Sequence, residues 1–179
     1  MPIGGGTFTL QNKVLPGAYI NTVATGGGVT TGTRGVATLP LVLKWGEEGK
    51  NIRMDAGDFA KNALTVFGYD ATSPELLLIR EAFKRAKTLL IYRVNTGGTK
   101  ATKTVGGITA TAKYPGTRGN DIKVAVLTNP DGGFDVVTYL DGVEMDNQTV
   151  TAISGLAAND YVVFSGTGDI SAAAAAALT

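Results

Sequence analysis

The 179-residue chain has no cysteine and no histidine, and it holds one tryptophan and three methionines. Without cysteine there is no disulfide framework and no thiol nucleophile. Lacking both residues, it can build neither a Cys/His zinc site nor a His-dependent catalytic triad. An excess of one charge is also missing, since 16 basic residues meet 15 acidic ones for a net charge of +1. Nucleic-acid binding leaves a basic patch or stripe, and none stands out, so no nucleic-acid partner is expected. The densest basic cluster is Arg80, Lys84, Arg85 and Lys87. It falls near the C-terminal end of an expected helix, where cations complement the helix dipole. No apolar run is long enough to span a bilayer, so direct membrane insertion is not expected. The first residues lack a charged start followed by an apolar core, so a secretory leader is not expected and synthesis in the cytosol is the default.

What the chain has in quantity is glycine, 25 residues of it. Together with many Thr and Val residues, this favours strands and tight turns over helices. The length suits one ordinary domain or two small ones.

The pattern divides the chain into four stretches. Residues 1–33 are Gly- and Thr-rich with scattered apolar positions, among them Phe8, Leu10, Val14, Leu15, Tyr19 and Ile20. They are too dispersed for a core helix. Gly26-Gly27-Gly28 and Thr30-Thr31-Gly32 read as a flexible connector. Such an arm is either a first strand of its own domain or a strand lent to the sheet edge of a neighbour, where main-chain hydrogen bonds supply affinity. Residues 34–96 read as a small α/β layer. Arg34 to Trp45 is expected as a buried strand that Pro40 places at an edge, bulge or kink. Asp55 and Asp58 resemble a capping box before Phe59, Ala63, Leu64 and Phe67, and Gly68 ends that helix. Ser73-Pro74-Glu75 opens a second helix carrying Leu76, Ile79, Phe83 and Ala86, with Glu81 placed to pair with Arg85. Thr88 to Val94 is the next strand, which completes a β-α-α-β order and implies a sheet layered on helices.

Composition changes at Asn95-Thr96-Gly97-Gly98, and residues 97–168 read as consecutive strands. Expected strands are Ile108 to Tyr114, Ile122 to Thr128, Phe134 to Leu140, Val143 to Val150 and Tyr161 to Phe164. Asn129-Pro130-Asp131-Gly132-Gly133 and Asp141-Gly142 mark turns. This spacing suggests an antiparallel β-sandwich or barrel. Residues 169–179 form an Ala-rich tail with too little apolar bulk for a further domain, and it reads as leading toward a C-terminal region outside the sequence. The fold class is thus mixed α+β: an extended arm, a small α/β layer, then the antiparallel domain.

Candidate chemistry is sparse. Gly27 to Gly32 matches the glycine spacing of a phosphate loop, but Thr33 and Arg34 stand where Lys and Ser/Thr are required. Asp131, Asp135 and Asp141 could bind calcium only without the EF-hand spacing, and turn conformation accounts for them. Glu47-Glu48 sits in a Gly-flanked loop and reads as solvated, although glycoside hydrolysis does use two carboxylates. Ser165-Gly166-Thr167-Gly168-Asp169 has a hydroxyl near an Asp but no general base. Tyr92, Tyr114, Tyr139 and Tyr161 suit strand packing. Trp45 suits a domain core or an interface equally. No catalytic, cofactor-binding or metal residue emerges.

The stretch Thr109-Ala110-Thr111-Ala112-Lys113-Tyr114-Pro115-Gly116-Thr117-Arg118-Gly119-Asn120-Asp121-Ile122 resembles a segment of contractile bacteriophage and prophage tail sheath proteins. So do Gly5 to Asn21, Arg34-Gly35-Val36, Leu41 to Gly46, Phe67-Gly68-Tyr69 and Ser165 to Gly168. The resemblance implies a non-enzymatic structural subunit without cofactors, made in the host cytoplasm and carried in the virion. It implies assembly with copies of itself as rings around a tail tube, with baseplate and tail terminator proteins as further partners. Contraction would drive the tube through a cell envelope. Thr7, Phe8, Leu10, Val14, Leu15 and Tyr19 would belong to the inter-subunit arm, with Gly26, Gly27, Gly28 and Gly32 as its hinge. The sandwich would be peripheral. Two other classes stay open: a β-rich module that binds a glycan or receptor, and a carboxylate-dependent hydrolase.

Overall fold

Thr-Leu-Leu-Ile-Tyr-Arg, residues Thr88–Arg93, is the central strand (β3) of a three-stranded sheet. It lies parallel to β1 (Val36–Leu41) and antiparallel to β2 (Asn51–Asp55). The computed structural model describes residues 35–179. Every proposed arm and hinge residue (Thr7, Phe8, Leu10, Val14, Leu15, Tyr19, Gly26, Gly27, Gly28 and Gly32) lies outside the described residues, as does the phosphate-loop match.

Helix α1 (Ala56–Phe67) buries Phe59, Ala63 and Phe67, a four-residue spacing that puts all three on one face. Gly68 ends it in the left-handed conformation, φ 75°, and its N–H bonds the Leu64 carbonyl at 2.9 Å. A 3-10 turn (Pro74–Leu76) leads into α2 (Leu77–Phe83). Leu76, Ile79, Leu89 and Ile91 are almost wholly buried and join Phe59, Ala63 and Phe67 in one core between the helices and one face of the sheet.

Four local expectations are corrected here. The first strand ends at Leu41 and is exposed or half-buried throughout; the buried residues of that stretch, Leu43 and Trp45, lie beyond its end. As an edge strand, β1 tolerates Pro40 because its second side needs no ladder donor. Asp55 makes no cap bond, because it ends β2 directly opposite Thr88 and accepts that residue's hydroxyl instead. Glu81 pairs with Lys84 at 2.7 Å, not with Arg85. Finally, β2 makes the order β-β-α-α-β; its five residues alternate polar and apolar, a run too short to stand out from a loop.

The remaining residues form two antiparallel sheets. One is ordered β10-β6-β7-β8, from β6 (Ile122–Thr128), β7 (Phe134–Leu140), β8 (Val143–Val150) and β10 (Ala173–Ala177). The other is ordered β4-β5-β9, from β4 (Thr102–Val105), β5 (Ile108–Ala112) and β9 (Val162–Ser165). Ile108, Ala110 and Ala112 of β5 face Ile122, Val124 and Val126 of β6 within a single apolar core, which makes this unit a β-sandwich. Asp141 and Gly142 both have positive φ, 53° and 81°, as the two-residue turn between β7 and β8 requires.

Residues 169–179, expected as a tail outside the sandwich, instead supply β10 and the fully buried Leu178. Backbone bonds Thr102 N–H to Thr179 O (3.1 Å) and Leu178 N–H to Ile122 O (3.0 Å) tie this strand to both sheets. This strand pairs with β6, and the residues before it lie against the Gly106-Gly107 turn, where Ser171 N–H bonds the Gly106 carbonyl at 3.0 Å.

Candidate functional site

A buried polar network lies at the junction between the α/β layer and the sandwich. It starts with the loop between β5 and β6. Gly116 has φ 135°, and a Cβ there would stand 2.2 Å from the Lys44 carbonyl oxygen, so only glycine lets the loop lie on the chain leaving β1. Two residues on, Arg118 donates its backbone N–H to the same carbonyl at 3.3 Å.

The Arg118 side chain is 6% exposed. Its Nε donates to the Gly68 carbonyl at the end of α1 (2.7 Å). Nη1 donates to Asp121 Oδ2 (2.9 Å) and Asp141 Oδ1 (2.8 Å), and Nη2 pairs with Asp141 Oδ2. The guanidinium carbon lies 4.4 Å from the centre of the Tyr69 ring, within cation–π range. Burial acts to lower the Arg118 pKa, but its hydrogen bonds to Asp141 and Asp121 and the attraction of their charges together outweigh it and raise the value. The same bond holds the Asp141 carboxyl below the ordinary aspartate range.

Trp45 approaches the sandwich from the α/β side. It is 1% exposed and belongs to the sandwich core. Its ring meets Tyr114 edge-on at 5.3 Å and lies 6.5 Å from Tyr161. Burial pushes up the pKa of both phenols. Arg93, on β3, is also buried and donates to the Gly46 carbonyl at 2.8 Å, with Glu48 at 3.6 Å. Burial lowers its pKa, and Glu48 opposes that. Asn95 completes the joint by bonding both backbone groups of Leu43, at 2.8 and 2.9 Å.

This arrangement holds position through bonds made within the chain. Four of Arg118's five N–H groups are used within the chain, so it cannot receive a phosphate or carboxylate bidentately. The aspartates weighed as calcium ligands are spent separately: Asp135 accepts Asn129 and Thr149, whereas Asp141 pairs with Arg118. Glu47 pairs with Lys50 and Glu48 with Arg93, so that acidic pair does not act together. Among the described residues, no group of three His, Cys, Asp or Glu could hold a metal ion, and no helix is long and apolar enough to cross a membrane.

Composition and spacing assign Arg118 and Arg93 no role and give Asp141 only that of a turn residue. The available signal was an arginine set inside a rigid Pro/Gly loop, where a solvated side chain would have served as well. Trp45, left open between core and interface, turns out to occupy the sandwich core from the neighbouring layer.

Comparison with known proteins matches both parts. Residues 34–94 fit the family model for the N-terminal region of domain III of the tail sheath protein Gp18, and residues 96–179 fit that for the phage tail sheath protein beta-sandwich domain. The phage-like element PBSX protein XkdK of Bacillus subtilis is 39% identical over 173 residues. That alignment covers 94% of this chain but 36% of the relative, so the chain spans about a third of the curated protein it matches. Among solved structures, the sheath tail protein of Desulfitobacterium hafniense is 50% identical with a TM-score of 0.77, over 91% of this chain and 38% of that one. The sheath tail protein of Listeria innocua is 34% identical with a TM-score of 0.74, over 82% of this chain and 33% of that one. With its α/β layer and its sandwich each matched in chain order, the protein belongs to the phage tail sheath family.

Proposed function

We propose that the chain is part of a subunit of a contractile phage-type sheath, which stacks in rings around a tail tube and contracts to drive the tube through a cell envelope. The observation that carries this reading is the agreement in both sequence and fold with two sheath tail proteins, over 91% and 82% of the chain. In this reading the protein works mechanically, by rigid-body movement between packed arrangements, and catalyses nothing. Residues 7–19 lend a strand to a neighbouring subunit, Gly26, Gly27, Gly28 and Gly32 form the hinge of that arm, and the sandwich stands at the periphery. The partners are further copies of the subunit, the tail tube, the baseplate and the tail terminator, and the protein resides in the virion.

A glycan- or receptor-binding role finds less support. The trough on the sandwich beside Lys113, Asp146, Gln148 and Asn159 has no aromatic ring in its lining. Its amides are already committed, Gln148 to both backbone groups of Ala157 and Asn159 to Asp146.

Electron microscopy of the full-length gene product tests the proposal. Striated tubes are expected, and deletion of the residues before Arg34 should leave unconnected subunits or rings. A product that stays monomeric under conditions that assemble related tails would overturn it.

A further inference from the structure

We propose that Trp45 and Arg118 weld the α/β layer and the β-sandwich into one rigid body that unfolds as a unit, although the family divides there into two regions. Among the described residues the chain crosses between the two parts once, through residues 94–98, and Gly97 in that crossing has φ 80°. A single glycine-containing crossing does not set an angle, so contacts across the junction must: the backbone bond from Arg118 to the Lys44 carbonyl and the side chains buried beside it.

Each part lends the other a residue that it cannot bury alone. Trp45 follows β1 yet packs in the sandwich core against Tyr114 and Tyr161. Arg118 comes from the sandwich and is buried against the end of α1, bonded to Gly68 O and stacked on Tyr69. The two converge on one spot: a Cβ on Gly68 would lie 2.9 Å from Trp45 Cγ and 3.0 Å from Arg118 Cγ. Any swing of the sandwich therefore has to expose the indole and strip the Gly68 carbonyl in the same movement. Groups that share a contact point in this way are lost together, not one by one. This coupling stands apart from the sheath reading; if that reading holds as well, force applied to one part reaches the other without bending between them.

The full 179-residue chain can be examined directly. Amide exchange in rising urea would follow Ala63 and Ile91 in the α/β layer and Val124 and Val137 in the sandwich, with the emission of the sole tryptophan read in parallel. In the parent protein all four amides and the emission shift should share one midpoint and one urea dependence. In Arg118→Ala the two amide pairs should separate. Should that variant fail to fold, Asp141→Asn takes its place, since asparagine tolerates the same left-handed turn, and a smaller separation is expected. Because the protein lacks cysteine, Lys61→Cys with Glu144→Cys can be spin-labelled specifically, and one narrow distance distribution is expected, broadened by Asp141→Asn. Two separate midpoints in the parent protein, or a broad distribution in it, would sink the proposal. Midpoints that stay together in every folded variant would remove Arg118 from it.

Discussion

Arg118 and Asp141, 23 residues apart in the chain, meet through two hydrogen bonds, one from each terminal nitrogen of the guanidinium, with Nη1 at 2.8 Å from Oδ1. Asp141 is at the same time the residue with φ 53° in the turn between β7 and β8. One side chain thus shapes a hairpin and anchors the junction between the two parts of the chain.

Removing the arginine should weaken the fold far more than neutralising its partner. Arg118→Ala leaves the Gly68 carbonyl without its donor and removes a buried side-chain stem from the junction, a combination that costs about 2–3 kcal/mol. Asp141 is 57% exposed, so Asp141→Asn should cost less than about 1 kcal/mol. Arg118→Lys should not restore stability, because an ammonium cannot serve the planar fork. Urea denaturation midpoints of the three variants check the order.

The same pair makes stability fall in acid. Arg118's hydrogen bond holds the Asp141 carboxyl more acidic in the folded protein than in the unfolded chain. Its contribution is therefore complete above about pH 4, the ordinary aspartate value, and is lost as the pH drops through the lower folded value. Asp135, held down by Thr149 and Asn129, adds to the loss in the same direction. Denaturation midpoints measured below pH 4 should fall less steeply in Asp141→Asn than in the parent protein.

Gly116→Ala should destabilise by more than about 1 kcal/mol, because the new methyl group would meet the Lys44 carbonyl in a backbone conformation alanine avoids. Gly132→Ala is the control: its φ is 107° but nothing lies within 4 Å, so it carries backbone strain alone. Thermal unfolding of both separates strain from close packing, and equal losses would show that the Gly116 loop does not press on Lys44.

Leu178→Ala should cost about 2–5 kcal/mol, as expected for a fully buried leucine. Val143→Ala, at a position 59% exposed, should change stability by less than about 0.5 kcal/mol. Comparable small effects in both would mean that the Ala-rich end contributes little to the sandwich core.

Much of this fold could be read from local signals. The strands at Ile122–Thr128, Phe134–Leu140 and Val143–Val150 fall where alternating apolar residues and the Asn129-Pro130 and Asp141-Gly142 turns put them. The helix end at Gly68 follows from its left-handed conformation. Short polar strands escaped, because Asn51–Asp55 and Thr102–Val105 gain their order from neighbours more than from their own sequence. The Ala-rich end escaped for the same reason: alanine prefers helix in isolation, and pairing with β6 overrides that preference.

Alone, the sequence determined that these 179 residues offer no thiol, disulfide or histidine chemistry, and it carried the division into an α/β layer and a β-rich part and the likeness to tail sheaths. Those features follow from residue types and from patterns a few positions wide. Only the tertiary structure decided that Trp45 fills the core of the neighbouring part, that Arg118 spans from Gly68 to Asp141, and that the alanine run closes a sheet. Each depends on groups brought together from distant points in the chain, and burial and hydrogen bonding act on that proximity in space, which no local pattern records.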